Sequence, residues 1–299
     1  MSCACSPSTG RPYGGGLVCE AGGIARSPVY ATAARGRQAP TLPPAKRGPK
    51  TGLTDEQIVA HIRRVLGASP FTGEGHRKVW ARLRYQGIRP SKARVLRSMR
   101  EHGLLAPSRA TRVLGPRHPE GTLLPEAPNV MWGTDATTTC TLAEGQVTVF
   151  IAVEHFTAEG VGIHAAKVGN RFEALEPIRQ GIRRHLGTYA TGAASGLALR
   201  HDHGSQYRSH AFQAEIKFLG IESSPAFVRA PEGNGCAERF IRTLKAQRLW
   251  VHTFRTVEEL RLALPAGLTT YNEQWLIARH GHRSPAQVRR DYVDARRAA

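Results

Sequence analysis

The sequence is poor in acidic residues and in cysteine, and it has no long apolar run. Its 299 residues include 23 Asp and Glu against 42 Lys and Arg, which gives a formal net charge of +19. Such an excess of cations favours a polyanionic partner such as nucleic acid. No apolar segment reaches the length of a transmembrane helix, and residues 1–50 lack the apolar core of a signal peptide. We therefore expect a cytoplasmic, nucleoid-associated protein without a membrane partner.

The few cysteines do not form a recognisable framework. They are Cys3, Cys5, Cys19, Cys140 and Cys236. Their odd number and irregular spacing argue against a disulfide scaffold. No second pair of Cys or His follows Cys3 and Cys5 at zinc-finger spacing, so no structural zinc site is predicted.

Residues 1–50 are rich in Gly, Pro, Ala, Ser and Arg. This composition predicts a mostly disordered basic arm. Residues 18–31 allow a second interpretation as a remnant helix-turn-helix, because Ile24 to Ser27 would open a second helix and Pro28 is tolerated in its first turn. The sequence leaves both interpretations open.

A helical module is predicted over residues 51–106. Thr54 is an N-cap followed by acidic residues, and apolar residues recur at helical spacing after it. Two shorter helices, at about 77–86 and after Ser91, complete a helix-turn-helix-like domain. The last helix carries the cations that we predict to contact DNA: Lys92, Arg94, Arg97 and Arg100. A helical bundle with a solvated basic face is the alternative.

The pattern from residue 130 onward indicates a mixed α/β domain. Strands are predicted at about 130–138, 147–153 and 160–166, with a hairpin turn at Glu144-Gly145. An amphipathic helix over 171–185 follows, and then shorter strands and helices alternate. Near the C-terminus, Pro265 and Gly267 are predicted to interrupt a helix that begins after Thr256.

Three acids are placed on separate elements of this domain. Asp135 belongs to the first strand, Asp202 follows a short strand, and Glu238 lies on a helix that begins near residues 232–234. Both aspartates are expected at or just past a strand end. Three carboxylates from three elements can hold two divalent ions, and two such ions can support phosphoryl transfer.

Other polar residues near these acids receive different predictions. Glu154 and Glu159 are interpreted as structural or supporting residues. His201 and His203 lie two apart on a strand and share a face, so a zinc pair is an alternative use for them. Asp202 would then face the opposite side, which makes a common site awkward.

The segments around the three acids resemble a known family. They are Trp132 to Asp135, His201 to Tyr207, and Asn234 to Lys245. In these segments, and in Tyr271-Asn272 and Arg283 to Ala286, the chain resembles the second-frame DDE transposases of insertion sequence family three, in the retroviral-integrase-like superfamily.

This resemblance runs from about Leu53 to the C-terminus. The chain departs from the family at His203, where members often carry Arg or Gln, and at Pro265, where members usually keep a continuous helix. The role of His203 and the activity of this copy are therefore left open.

The resemblance implies an α/β fold. The expected architecture is an RNase H-like catalytic core, with a mixed five-stranded sheet and flanking helices, preceded by a small all-α helix-turn-helix domain. The predicted limits are 1–50 for the arm with its remnant at 18–31, 51–106 for the helical domain, 107–128 for a linker, 129–290 for the core and 291–299 for a tail.

The resemblance also implies an activity. A transposase would cleave DNA strands and transfer them, with Asp135, Asp202 and Glu238 as catalytic residues and as ligands of two Mg²⁺ or Mn²⁺ ions. Its partners would be element ends, target DNA and a second copy of the chain at least, since two ends are joined. A helix-turn-helix protein from an upstream reading frame is a further partner that the resemblance leaves open.

Two other functions stay open at this point. One is an RNase H-like nuclease that cuts without joining. The other is a transposase-derived DNA-binding protein with little or no catalysis.

Two further cations accompany Glu238 on its helix. At about 100° per residue, Arg242 lies about 40° and Lys245 about 20° from Glu238 around the helix axis. We predict that both bind the DNA backbone next to the acids. An exposed ion pair between Glu238 and Arg242 is the alternative.

Overall fold

The structure, a computed structural model, describes residues 5–37, 52–107, 125–226 and 234–298. Residues 1–52 form one compact unit and residues 53–299 a second. The predicted linker lies largely outside the described residues, as do the residues between 226 and 234. No helix in the described ranges is long and apolar enough to cross a membrane.

The first unit contains two helices, α1 (Gly15–Ala21) and α2 (Arg26–Arg37). A turn with Gly23 at a φ of 62° separates them, and Pro28 lies in the first turn of α2, where its missing N–H is tolerated. Residues 18–31 lie within this pair of helices, and their assignment as a remnant helix-turn-helix stays a prediction. Residues 15–37 thus carry more regular structure than a disordered arm, because the Ala-rich sequence of α2 favours a helix.

Three helices open the second unit: α3 (Asp55–Ala68), α4 (His76–Tyr85) and α5 (Lys92–Glu101). All three were predicted. Thr54 and Gln57 form a reciprocal capping box at the start of α3, and the Ser91 side chain accepts from the Arg94 N–H at the start of α5. Their shared core consists of Ile58, Ile62, Val65, Val79, Leu83, Val95 and Met99.

A five-stranded sheet forms the centre of the remaining chain. Its strands are β1 (Met131–Thr141), β2 (Gly145–Glu154), β3 (Gly160–Ala166), β4 (Ala198–His201) and β5 (Glu222–Pro225). The spatial order is β3-β2-β1-β4-β5. The first three strands are antiparallel, and β4 and β5 add to β1 in parallel. This mixed sheet is the RNase H-like arrangement that the resemblance implied.

Helices cover both faces of this sheet. They are α6 (Arg171–His185), α7 (Ser205–Arg208), α8 (His210–Phe218), α9 (Gly235–Leu244), α10 (Val257–Gln274) and α11 (Pro285–Ala298). Successive strand residues point to opposite faces, so β2 contributes Phe150 to a core with α6 and α8. The same strand contributes Val149 and Ile151 to a second core with α9 and α10.

Helix α10 continues through Pro265, so the predicted interruption is wrong. A proline inside a helix costs about 3 kcal/mol. Leu264 and Leu268, on either side of it, are buried in the core. Burial of each such side chain contributes about 2 kcal/mol, and this packing keeps the helix in one piece.

The helical domain contacts the core directly. The Thr72 N–H donates to Gln247 Oε1 at 2.8 Å, and Gln247 Nε2 donates back to the Thr72 carbonyl at 2.9 Å. The Tyr85 hydroxyl donates to the carbonyl of His282, which follows α10, at 2.9 Å. The three helices therefore pack as part of the second unit.

Candidate active site

Asp135 and Asp202 are neighbours across the parallel pair β1–β4. The register pairs Gly133 with Arg200, and β4 ends at His201. Extended by two residues along both strands, this register leads to Asp135 and Asp202, and the charge of Asp202 acts on the pKa of Asp135. The two aspartates therefore meet where β4 stops and β1 continues.

The expectation that Asp135 ends a strand is wrong. It is the fifth residue of the 11-residue strand β1 and pairs with Ile151 of β2. The strand runs on to Thr141 because its threonines are β-branched and pair with β2 through the Glu144-Gly145 hairpin. Asp202 does lie just past a strand end, as predicted.

Glu238 approaches from α9, whose first turn it occupies. The apolar stripe predicted for this helix is buried: Ala237, Phe240, Ile241 and Leu244. At the start of α9, Asn234 Nδ2 donates to the carbonyl of Thr134 at 2.9 Å. The helix that carries Glu238 is thereby bonded to the strand residue that precedes Asp135.

The three acids form one electrostatic neighbourhood. Burial raises the pKa of Asp135 to about 6, the Ala136 N–H that donates to its Oδ1 opposes this rise, and the charges of Asp202 and Glu238 add to it. The cation of Lys245 lowers the same pKa. The structure thus brings together Asp135, Asp202, Glu238 and Lys245.

The carboxylates do not enclose a common point. Across the described ranges, no three His, Cys, Asp or Glu side chains are arranged closely enough to hold a metal ion. Asp202 Oδ1 instead accepts from the Gly204 N–H at 2.8 Å, and Asp135 Oδ1 accepts from the Ala136 N–H at 2.8 Å. The acids are neighbours, but the side chains of Asp135 and Asp202 accept hydrogen bonds from backbone N–H groups close to them in sequence.

The two histidines beside Asp202 bind different partners. His201 is buried, with Nδ1 2.7 Å from the Asp202 carbonyl and Nε2 2.9 Å from Ser223 Oγ. His203 Nε2 lies 2.7 Å from the carbonyl of Ala226. Since both rings are engaged in local bonds, the zinc alternative receives no support from their geometry.

Sequence reasoning missed Tyr207. This residue lies on α7, and its side chain is fully buried. Its ring stacks on His201 with 5.7 Å between centroids. Burial raises the pKa of Tyr207, and the charges of Asp135 and Asp202 raise it further. The position of Tyr207 five residues after Asp202 was the available signal.

Glu154 and Glu159 have structural roles, as predicted. Glu154 Oε2 accepts from the backbone and the hydroxyl of Thr157, both at 2.6 Å. Glu159 forms an ion pair with Arg289 of α11. Neither belongs to the group of acids around Asp135.

The cations predicted to contact DNA differ in their surroundings. Arg94 donates to Asp55 at 2.6 Å and to the Leu53 carbonyl at 2.8 Å. The other three predicted cations of α5 form weaker contacts or none within the described residues. Lys92 lies over the Trp80 ring, Arg97 is 3.5 Å from Asp55, and Arg100 is exposed without a partner in the described residues. On α9, Arg242 is exposed, and Lys245 begins a π-helical turn that ends at Leu249.

Comparison with known proteins extends these observations. Residues 54–112 match the family model of an HTH-like domain. The chain is 28% identical over 244 residues to the transposase InsD for insertion element IS2A/D/F/H/I/K of Escherichia coli, which covers 79% of each chain. The same values hold for the InsD transposase of insertion element IS2D from strain K12.

Two solved structures are partly similar to this chain. The catalytic core domain of BIV integrase matches with a TM-score of 0.39 and 22% identity, covering 57% of this chain and 97% of that one. A chain of the simian T-cell lymphotropic virus intasome in complex with PP2A regulatory subunit B56 gamma matches with a TM-score of 0.44 and 19% identity, covering 70% of each chain.

The transposase relatives, the helix-turn-helix-like domain and the observed strand order agree with one another. They bear out the family resemblance found in the motifs. The chain is homologous to the InsD transposases of insertion element IS2 over 79% of its length.

Proposed function

We propose that this transposase cleaves DNA strands and joins the freed 3′ ends to new DNA, with Asp135, Asp202 and Glu238 as its catalytic residues. The observation that carries the proposal is the meeting of three acids from β1, the end of β4 and α9 in one electrostatic neighbourhood. The InsD transposases of insertion element IS2 are similar over most of the chain, and this similarity supports a DNA substrate.

The three carboxylates suit a divalent cation by the chemistry of their oxygen donors, while their present arrangement does not enclose one. Carboxylate oxygens are the ligands that Mg²⁺ and Mn²⁺ prefer. Asp202 and Glu238 raise the pKa of Asp135 by repulsion, and a cation among the three carboxylates would offset this repulsion. Asp135, Asp202 and Glu238 would hold the ions, two per site. When bound, such ions supply charge stabilisation for an attacking and a leaving oxygen.

The protein itself supplies position and charge. The parallel pair β1–β4 brings Asp135 and Asp202 into one neighbourhood, and α9 adds Glu238 to it. Lys245 and Arg242 on the same helix would bind phosphates of the DNA backbone without base specificity. The cations of α5 would bind the element ends. Because two ends are joined, the active form contains at least two copies.

Charge-neutral substitution of the acids tests this function. Asp135→Asn, Asp202→Asn and Glu238→Gln should each abolish Mg²⁺-dependent cleavage and joining of a labelled element end, while DNA binding in a gel-shift assay is retained. Glu222→Gln is the matched control, since Glu222 is exposed at the far end of β5 and its substitution should leave activity unchanged.

The same assay separates the alternatives. Cleavage without joined product would favour the RNase H-like nuclease. DNA binding without any cleavage by the wild-type chain would favour the transposase-derived binding protein. An Asp202→Asn variant that cleaves at the wild-type rate would contradict the proposed site.

A further inference from the structure

We propose that Asn234 is a positioning residue that sets the distance between Asp135 and Glu238. This role rests on the proposed function. It adds to that function a residue that would contact neither the metal nor the DNA. It would act through one buried hydrogen bond between α9 and β1.

Asn234 occupies the N-cap position of α9, where an asparagine normally caps the helix. Its side chain makes no capping bond there. Asn170, the N-cap of α6, shows the usual use, because its Oδ1 accepts from the N–H groups of Phe172 and Glu173. The Asn234 side chain is therefore used for something other than helix initiation.

The side chain of Asn234 is turned toward β1 instead. It is 6% exposed, and its Nδ2 donates to the Thr134 carbonyl at 2.9 Å. Thr134 immediately precedes Asp135, and Asn234 lies about one helical turn before Glu238. One hydrogen bond thus joins the backbone beside the first acid to the helix turn that carries the third.

Gly133 makes this approach possible. A Cβ atom on Gly133 would lie 2.7 Å from Asn234 Oδ1 and 2.6 Å from His155 Nε2. Glycine inside a strand commonly marks a close approach by another group. The glycine between Trp132 and Thr134 is thereby explained by the packing of Asn234 and His155.

The bond is not optimised for stability alone. Asn234 Oδ1 is buried and has no hydrogen-bond partner in the described part of the chain. A buried polar atom without a partner is unfavourable. An apolar side chain would avoid this cost, so we infer that the donor to Thr134 is retained for the geometry of the acids.

Two substitutions in the full-length chain test the role. Asn234→Leu keeps a side chain of similar size and removes the donor, and Asn170→Ala removes the capping side chain of α6. Mn²⁺ affinity is measured by electron paramagnetic resonance, stability by thermal melting, and opening of α9 by amide hydrogen exchange with mass spectrometry.

Asn234→Leu should weaken Mn²⁺ binding about 10- to 100-fold, as is typical when a residue that orients metal ligands is lost. It should also speed exchange in residues 235–244. Asn170→Ala should lower the melting temperature and leave Mn²⁺ affinity unchanged. Gly133→Ala, which displaces Asn234 or His155, should reproduce the Mn²⁺ defect without removing any donor.

Wild-type Mn²⁺ affinity in Asn234→Leu would overturn the positioning role, whatever its effect on exchange. A failure of the proposed function would look different. In that case the Asp135→Asn variant would bind Mn²⁺ as tightly as the wild-type chain does.

Discussion

Lys78 of α4 lies on the ring of Trp275, with its Nζ atom 2.6 Å from the ring centroid. Phe71 packs edge-on against the same ring at 4.9 Å between centroids. The Nζ atom has no hydrogen-bond partner in the described residues. This contact attaches the helical domain to the end of α10 through a cation that has been removed from water.

Stability should depend on pH through Lys78. Burial lowers the pKa of Lys78 from 10.5 to about 7, Glu74 opposes this, and Arg82 adds to it. Between these two pH values the unfolded chain keeps the proton and the folded chain releases it, so unfolding takes up a proton. The free energy of unfolding should therefore rise with pH from about 7 to about 10.5.

Chemical denaturation at several pH values measures this effect. Lys78→Met keeps the apolar stem over Trp275 and should flatten the rise over this pH range. Lys217→Met, at an exposed lysine of α8, is the control and should keep it. Equal slopes in the wild type and in Lys78→Met would contradict the assignment to Lys78.

Arg94 and Arg100 should separate stability from DNA binding. Arg94 donates to Asp55 and to the Leu53 carbonyl, so Arg94→Ala should lower the free energy of unfolding by about 1–2 kcal/mol. Arg100 is exposed, so Arg100→Ala should leave stability unchanged and weaken binding to element ends. Denaturation and gel-shift titration of both variants check this. A stable Arg94→Ala variant with lost end binding would instead show that Arg94 contacts DNA.

Lys245 should tune Asp135 directly. Its cation lowers the pKa of Asp135 against the effects of burial and of the other two acids. In metal-free protein, Lys245→Ala should raise this pKa above its value of about 6, as followed by NMR titration of the labelled carboxyl group.

Arg242→Ala is the matched control on the same helix, since Arg242 is exposed and is not among the main influences on the pKa of Asp135. It should leave the titration unchanged. Each variant should also release about one counterion fewer on binding DNA, so that its affinity depends less steeply on salt concentration. If the pKa of Asp135 is unchanged in Lys245→Ala, the Lys245 side chain does not act on the acids.

The local elements were predictable because their signals are local. Thr54 and Ser91 cap helices that begin where expected, and the amphipathic pattern over 171–185 predicted α6 with its observed limits. The three acids were also identifiable, since their flanking residues resemble a family. Hydrogen-bond caps and apolar periodicity depend only on residues a few positions apart.

The misses concern side chains whose partners are remote in sequence. Asn234 has the residue type and position of a cap, yet Gly133 leaves room for it to reach β1. Arg94 stays a predicted DNA contact, and it also donates to Asp55, a partner 39 residues away that the sequence did not indicate. Helix and strand propensities do not predict such a partner, because it is remote in sequence and is brought close only by tertiary packing.

The sequence by itself determined which residues are chemically able to act: Asp135, Asp202 and Glu238, with cations beside them. It also determined α3, α4, α5 and α6, since these helices follow from short-range patterns. Only the tertiary structure decided that Asp135 meets Asp202 in the middle of β1, because the register of a parallel pair is fixed by contacts between distant segments. It likewise decided that α10 passes through Pro265, because burial of Leu264 and Leu268 outweighs a local preference.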